Sequence, residues 1–259
     1  MNSQNYKYHN TLHSDLTFVF LHGLFGDKDN LNSLAKLAQE KFDTLQIDLL
    51  NHGNAPKFNK VDFNDLNKYI NSILISLNIK NIVLIGHSLG GKVAMQYSHK
   101  FPLNIKALII MDIAPKDYPN HHLAIFKDLI RIKNIHPQKA SEIKDLLSQE
   151  NKFLFPFLSK SFIQDSKYSF KFNITGLLNS YEDLIMKWQK VNISINTLFL
   201  KGEKSNYIDL LKNDSKVIQD QFKQSSIKII PNSDHYIHVE NLNSVKFYIS
   251  EYLLKLKIL

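Results

Sequence analysis

A serine with a glycine two positions to either side, Gly86-His87-Ser88-Leu89-Gly90, follows the apolar run Asn81 to Ile85 and precedes residues of helical period. An alcohol carried on such a strand-to-helix turn is lifted above the sheet, and the turn is so crowded that small residues are needed two positions away. The helix behind it offers the positive end of its dipole to any negative charge that forms there. That arrangement suits nucleophilic attack on an electrophilic carbon, once a base has taken the hydroxyl proton. The chain has eleven histidines for that task and no cysteine. A thiolate nucleophile, a disulfide framework, zinc-thiolate sites and iron-sulfur clusters are excluded, and the chemistry falls to oxygen and nitrogen.

Two histidines stand together in IKIIPNSDHYIHVE, after the last apolar run and before the closing helical stripe. His235 lies in the loop and His238 three residues on, past it. The pair also reads as half of a metal site, but no carboxylate motif completes one, and no metal is expected. His87 adjoins the serine, yet its side chain points the other way. His22, His52, His121 and His122 read as turn or surface residues.

The elements that must position these groups come from hydrophobic periodicity. Short β-branched or Leu-rich runs predict strands at Leu16 to Leu21, Thr44 to Leu49, Asn81 to Ile85, Ala107 to Met111, Thr197 to Leu200 and Ile227 to Ile230. Helical faces alternate with them: Leu31, Leu34, Leu37 and Ala38; then Leu66, Tyr69, Ile70, Ile73 and Leu77; and at the end Val245, Tyr248, Ile249, Tyr252, Leu253 and Leu256. Strand-helix alternation implies a parallel sheet covered on both faces. From Lys116 to Val191 the alternation lapses into Phe-rich helical spacing, the mark of an insertion. Its Phe153, Phe155, Phe157, Phe162, Phe170, Phe172 and Trp188 read as packing within the insertion rather than pocket lining. Seven of the eight glycines sit where a strand exits, so the backbone is most constrained along the edge where open α/β sheets bind ligands.

With 259 residues and 44% hydrophobic content, the chain can bury a sizeable core as one domain with an insertion. The net charge of +8 is spread along the length without a basic run, so nucleic acid is not an expected partner. The polar start MNSQNYKYHNTLHSDL has no signal-peptide core, and no apolar stretch reaches the ~18 residues of a membrane span, which sets the expectation of a cytoplasmic protein without membrane insertion. The residues carry no signal for an oligomeric state.

Taken together, LHGLFGDKDN, DLLNHG, IGHSLGGK, MDIAP, KSF, FKFN and DHYIHVE resemble the α/β-hydrolase fold. LHGLFG with DNL, NHG, GHSLGGK and DIAP is similar, more narrowly, to the small bacterial esterases of the YbfF type and their animal relatives. The resemblance implies a mostly parallel sheet with a helical cap inserted between the sixth and seventh strands of that fold. The core is then 1–115 and 192–259, and the cap 116–191. It also implies Ser88 as nucleophile and His235 as base, with His238 the rival.

The usual acid follows the fold's seventh strand, but there the chain reads Lys201-Gly202-Glu203-Lys204-Ser205, with Ser205 in the slot. Asp112 closes the strand beside the serine strand, ~4.8 Å away in a parallel sheet, and members of the fold use an acid at that position. Glu203 is the rival, and Asp112 also reads as a cap of the DIAP turn. Backbone amides of Leu24 and Leu89 are the implied oxyanion donors, with an ordinary glycine turn at Gly23 as the alternative. Tyr207 is a candidate substrate-binding residue.

The implied reaction is hydrolysis of carboxylic esters or thioesters, acyl-CoA included, of small to medium acyl chains through an acyl-serine, without cofactor. Carbon-carbon bond hydrolysis and cofactor-free haloperoxidation use the same three groups. A lipase with an apolar lid and a ligand-sensing protein that keeps the pocket are further readings.

Overall fold

The computed structural model describes residues 5–11, 14–164 and 169–259. Part of the polar N-terminal stretch, residues 1–4 and 12–13, lies outside that range, as do residues 165–168 of the insertion.

One sheet is built from β1 (Tyr6–His9), β2 (Thr17–Leu21), β3 (Asp43–Ile47), β4 (Ile82–His87), β5 (Ile105–Met111), β6 (Thr197–Gly202) and β7 (Ser225–Ile230). Their order is β1-β3-β2-β4-β5-β6-β7. All neighbours are parallel except β1, which runs antiparallel against β3. The helices are α1 (Asn32–Ala38), α2 (Phe63–Ser76), α3 (Leu89–Lys100), α4 (Leu123–Ile135), α5 (Ile143–Leu146), α6 (Phe155–Ser161), α7 (Ile174–Tyr181), α8 (Asp214–Gln221), α9 (Ile237–Glu240) and α10 (Leu242–Lys255).

Every residue of β2, β3, β4 and β6 is buried, as continuous apolar runs require when helices cover both faces. The strand period of two then sorts side chains between two layers. Val19, Leu21, Leu84, Leu108 and Phe199 point to the side of α2 and α3. Phe18, Phe20, Val83, Ile109 and Leu198 point to α1 and to the Val245, Ile249 and Leu253 stripe of α10. Each fully buried Leu, Ile or Phe is worth about 1.5–3 kcal/mol, so the alternation fixes register on both faces.

The mostly parallel, helix-flanked sheet is as expected, and the six expected strands occur with ends shifted by up to two residues. β1 is additional. Its alternation is visible in hindsight, Tyr6 and Tyr8 half-buried and Lys7 and His9 exposed, but it is four residues long in polar surroundings. In α1, Leu37 of the expected face is 42% exposed and Ala35, not part of it, is buried instead; Leu34, Leu31 just before the helix and the half-buried Ala38 face the core as expected.

Between β5 and β6 the described residues form helices α4 to α7, 3-10 turns at Ala140–Glu142 and Gln149–Leu154, a π-helical turn at Glu182–Met186 and isolated bridges from Phe162 to Phe170 and from Ile193 to Phe222. The apolar layer over α2 and α3 continues unbroken into this segment through Ile125, Phe126, Phe170, Phe172 and Leu177. Phe153 breaks the expected packing pattern: it is 71% exposed. Both ends of the segment are held by one cation. Lys92, fully buried on α3, donates to the carbonyls of Ile185 at 2.6 Å and Lys116 at 3.4 Å. Its ammonium also lies over the Tyr118 and Trp188 rings, at 5.3 and 5.4 Å from their centroids.

The strand order reverses direction between β2 and β4. At such a switch point the loops leaving adjacent strands diverge and open a crevice at their carboxyl ends. Gly23 leaves β2 there, and Ser88 leaves β4.

Candidate active site

Ser88 stands between β4 and α3 with φ 52° and ψ −120°, a conformation that costs a non-glycine residue about 1–3 kcal/mol. The backbone is packed tightly around it. A Cβ on Gly86 would lie 2.3 Å from the Gly90 carbonyl oxygen, and one on Gly90 would lie 2.2 Å from that of Leu21. Both distances are far inside van der Waals contact, so the two glycines let the turn close. The Ser88 carbonyl accepts from the amides of Gly91 at 2.8 Å and Lys92 at 3.1 Å, which starts α3 at once.

His235, in the turn after β7, has Nε2 3.0 Å from Ser88 Oγ and Nδ1 2.8 Å from Asp112 Oδ2. The carboxylate can only accept from Nδ1–H, which leaves the Nε2 lone pair facing the serine hydroxyl. His87 does point away from Ser88: its Nε2–H donates to the His235 carbonyl at 2.8 Å and so holds the turn. His238 packs edge-on against His87, ring centroids 4.6 Å apart, and lies on α9 beyond the loop.

Asp112 is fully buried at the tip of β5, with φ 51°. Besides His235 its carboxylate accepts from the Gly202 amide at 2.8 Å and from the Ser205 hydroxyl. Ser205 thus occupies the slot read for an acid and serves the acid on the adjacent strand instead. The Lys201 ammonium ties that loop together, donating to the carbonyls of Gly202 at 2.6 Å and Ser205 at 3.0 Å. Glu203 turns outward and accepts from the Asn232 amide at 2.7 Å. The structure brings together Ser88, His235 and Asp112, and leaves Glu203 aside.

Burial sets the protonation. It pushes the His235 imidazole down to about 3, against the attraction of Asp234, which keeps the ring neutral with a free lone pair. Burial also lifts the Asp112 carboxyl to about 7, opposed by the Ser205 hydroxyl, the Gly202 amide and the Lys201 charge. The His235 side chain is 15% exposed, so it is enclosed but reachable.

The loop after β2 lies against the serine. A Cβ on Gly23 would fall 3.3 Å from Ser88 Cβ, and Phe25 turns back with φ 63°. Two histidines expected in turns or at the surface are fully buried and brace this loop. His22 donates from Nδ1 to the Gly23 carbonyl at 2.8 Å and accepts at Nε2 from the Leu49 amide at 3.0 Å. His52 accepts at Nε2 from the Phe25 amide at 3.2 Å and donates from Nδ1 to the Leu50 carbonyl at 3.0 Å. Between these braced amides, those of Leu24 and Leu89 have no protein acceptor among the described residues. Tyr207 lies flat on His235, with ring centroids 3.7 Å apart and an interplanar angle of 14°.

Residues 17–242 match the family described as alpha/beta hydrolase fold. A putative esterase/lipase of Haemophilus influenzae is 35% identical, over 97% of this chain and 88% of its own length. Esterase YbfF of Escherichia coli is 28% identical, over 93% and 94%. Among solved structures, one titled marine microorganism esterase superposes with a TM-score of 0.86 at 29% identity, covering 96% of this chain and 98% of the other. A strained serine at a switch point, an imidazole and carboxylate in line behind it, and a family match running from β2 to α10 lead to one statement: the chain belongs to the α/β-hydrolase fold family.

Proposed function

We propose that the protein is a serine esterase that hydrolyses carboxylic esters of small to medium acyl chains through an acyl-serine intermediate. The observation that carries this reading is the continuous chain from Ser88 Oγ to His235 Nε2 at 3.0 Å and from His235 Nδ1 to Asp112 at 2.8 Å. His235 takes the Ser88 proton as Oγ attacks the ester carbonyl, and Asp112 holds the tautomer and stabilises the imidazolium that forms. The same imidazolium hands its proton to the leaving alcohol. Water, deprotonated by His235, then attacks the acyl-serine and releases the acid. The unspent amides of Leu24 and Leu89 receive the oxyanion, a donor of that kind being worth about 3 kcal/mol.

Residues 116–191 act as a cap on a core of 1–115 and 192–259. Support comes from the rings of Phe126 and Phe172, which pack on Phe25 of the oxyanion loop at 5.2 and 5.0 Å. The names of the relatives, esterases and an esterase/lipase, support the ester class. A thioester has the same acyl-enzyme chemistry, so acyl-CoA belongs in the test. A fluorophosphonate probe should label the wild-type chain stoichiometrically at Ser88 and leave S88A unlabelled. p-Nitrophenyl esters of graded chain length should turn over faster than the corresponding acyl-CoAs. Absence of labelling in folded protein would point to a ligand-sensing role.

A further inference from the structure

Tyr207 carries no reacting atom, yet each of its contacts leads to a group that does or to the inserted segment. Its stack on His235 is the closest and flattest made by that imidazole. His87 approaches at 4.8 Å and 42°, and Tyr236 at 5.5 Å and 66°. The Tyr207 amide donates at 3.2 Å to Ser205 Oγ, the hydroxyl that donates to Asp112. Its carbonyl accepts from the Tyr118 hydroxyl at 2.5 Å. Its phenol oxygen is 3.1 Å from His122 Nε2, and His122 Nδ1 is 2.9 Å from the Tyr181 hydroxyl. Tyr118, His122 and Tyr181 all belong to the segment between β5 and β6.

We propose that Tyr207 is a positioning residue through which the inserted segment holds the His235 imidazole in plane for proton transfer, rather than a residue lining the acyl pocket. The inference rests on the reading of Ser88 and His235 as nucleophile and base. Asp112 and Ser88 hold the imidazole at its two nitrogen edges, which leaves tilting of the ring as its free motion. A parallel ring 3.7 Å away blocks that tilt. The Tyr118 bond fixes the Tyr207 backbone and the His122 contact its phenol oxygen, so a shift of the inserted segment is transmitted to the base.

The test uses Y207L, Y207F and H122F in the full chain, with kcat and KM on p-nitrophenyl acetate and hexanoate and the pH profile of kcat/KM. Y207L should lower kcat by ~10–100-fold, the cost of a misplaced catalytic group. The factor should be equal on both esters, with KM little changed. Y207F, which keeps the ring, should recover most of that loss, and H122F should fall between the two.

The groups facing His235 are Asp112 from β5, His87 from β4, His238 from α9, His122 from the start of α4, and Asp234 and Tyr236 from its own turn. Y207L replaces none of these groups, though His122 loses the phenol oxygen it faces. Burial holds the imidazole below its ordinary range, so removing the ring that covers one face raises it. The acid limb of Y207L should therefore move to higher pH. In the folded wild type, the His235 ring-proton resonances should lie upfield through the Tyr207 ring current, a reading that needs no variant.

Unshifted resonances overturn the proposal, as does a Y207L effect confined to KM and growing with chain length, or a Y207F variant as impaired as Y207L. If the wild type is not labelled by the fluorophosphonate probe, the serine-esterase reading fails. If it is labelled and Y207L is indifferent, only the positioning role fails.

Discussion

The turn at residues 86–91 and the segment at 116–191 are built on opposite terms. In the turn, backbone meets backbone: positions that would put a Cβ 2.2 and 2.3 Å from a carbonyl oxygen admit hydrogen alone. Gly86 answers to the Gly90 carbonyl four residues on and Gly90 to the Leu21 carbonyl of β2, so residue type there follows from backbone sterics rather than from side-chain packing. In the inserted segment α5, α6 and α7 are short, and the apolar layer on one side of the sheet supplies the packing. Placement there depends on partners more than 100 residues away, such as Asn173, whose amide donates to the Asn51 carbonyl at 2.8 Å. The serine turn is specified by what close backbone contact excludes, and the segment above it by the partners it finds at long range.

Substitutions sharpen that contrast. G90A should have the largest effect, because the added methyl overlaps the Leu21 carbonyl at the junction of β2 and α3 and neither element can yield. The expected outcome is loss of the cooperative thermal transition followed by circular dichroism. D112N should fold and lose about 10⁴-fold in kcat, while E203Q stays within about threefold. Equal losses in the two would remove the acid from β5. F172A, deleting a fully buried ring that stacks on Phe170 at 5.0 Å and 14°, should cost about 3–5 kcal/mol in chemical denaturation. F153A, at a ring that is 71% exposed, should stay within about 0.5 kcal/mol. A large F153A effect would mean that the segment packs differently from the arrangement described.

The same contrast explains what was readable. The sheet, its helical cover and the serine turn declare themselves through period and glycine spacing, because each is a local rule. The Asp112 position follows from strand adjacency, which the alternation of elements implies. Ser205 was read only as a vacancy in an acid slot. Its bond to Asp112 becomes visible once β5 and β6 lie side by side. His22 and His52 read as turn residues because a histidine beside glycine carries no burial signal of its own, and their role appears when the loops after β2 and β3 meet. β1 was missed for a related reason: four alternating residues gain their meaning from β3, the edge they cover. Tyr207 lacked any sequence signal for its stack, since the imidazole it covers is 28 residues ahead in the chain.

Lys92 has a consequence for how a substrate gets in. Its charge is solvated by two carbonyls and two aromatic faces, and no acidic side chain takes part in an ion pair with it among the described residues. Pulling the inserted segment off its roots would take away the carbonyl acceptors of Lys116 and Ile185 that hold the buried Lys92 nitrogen. The two ends of the inserted segment are therefore tied to the helix that Ser88 begins, and admission of substrate is expected at the segment's far rim rather than at its roots.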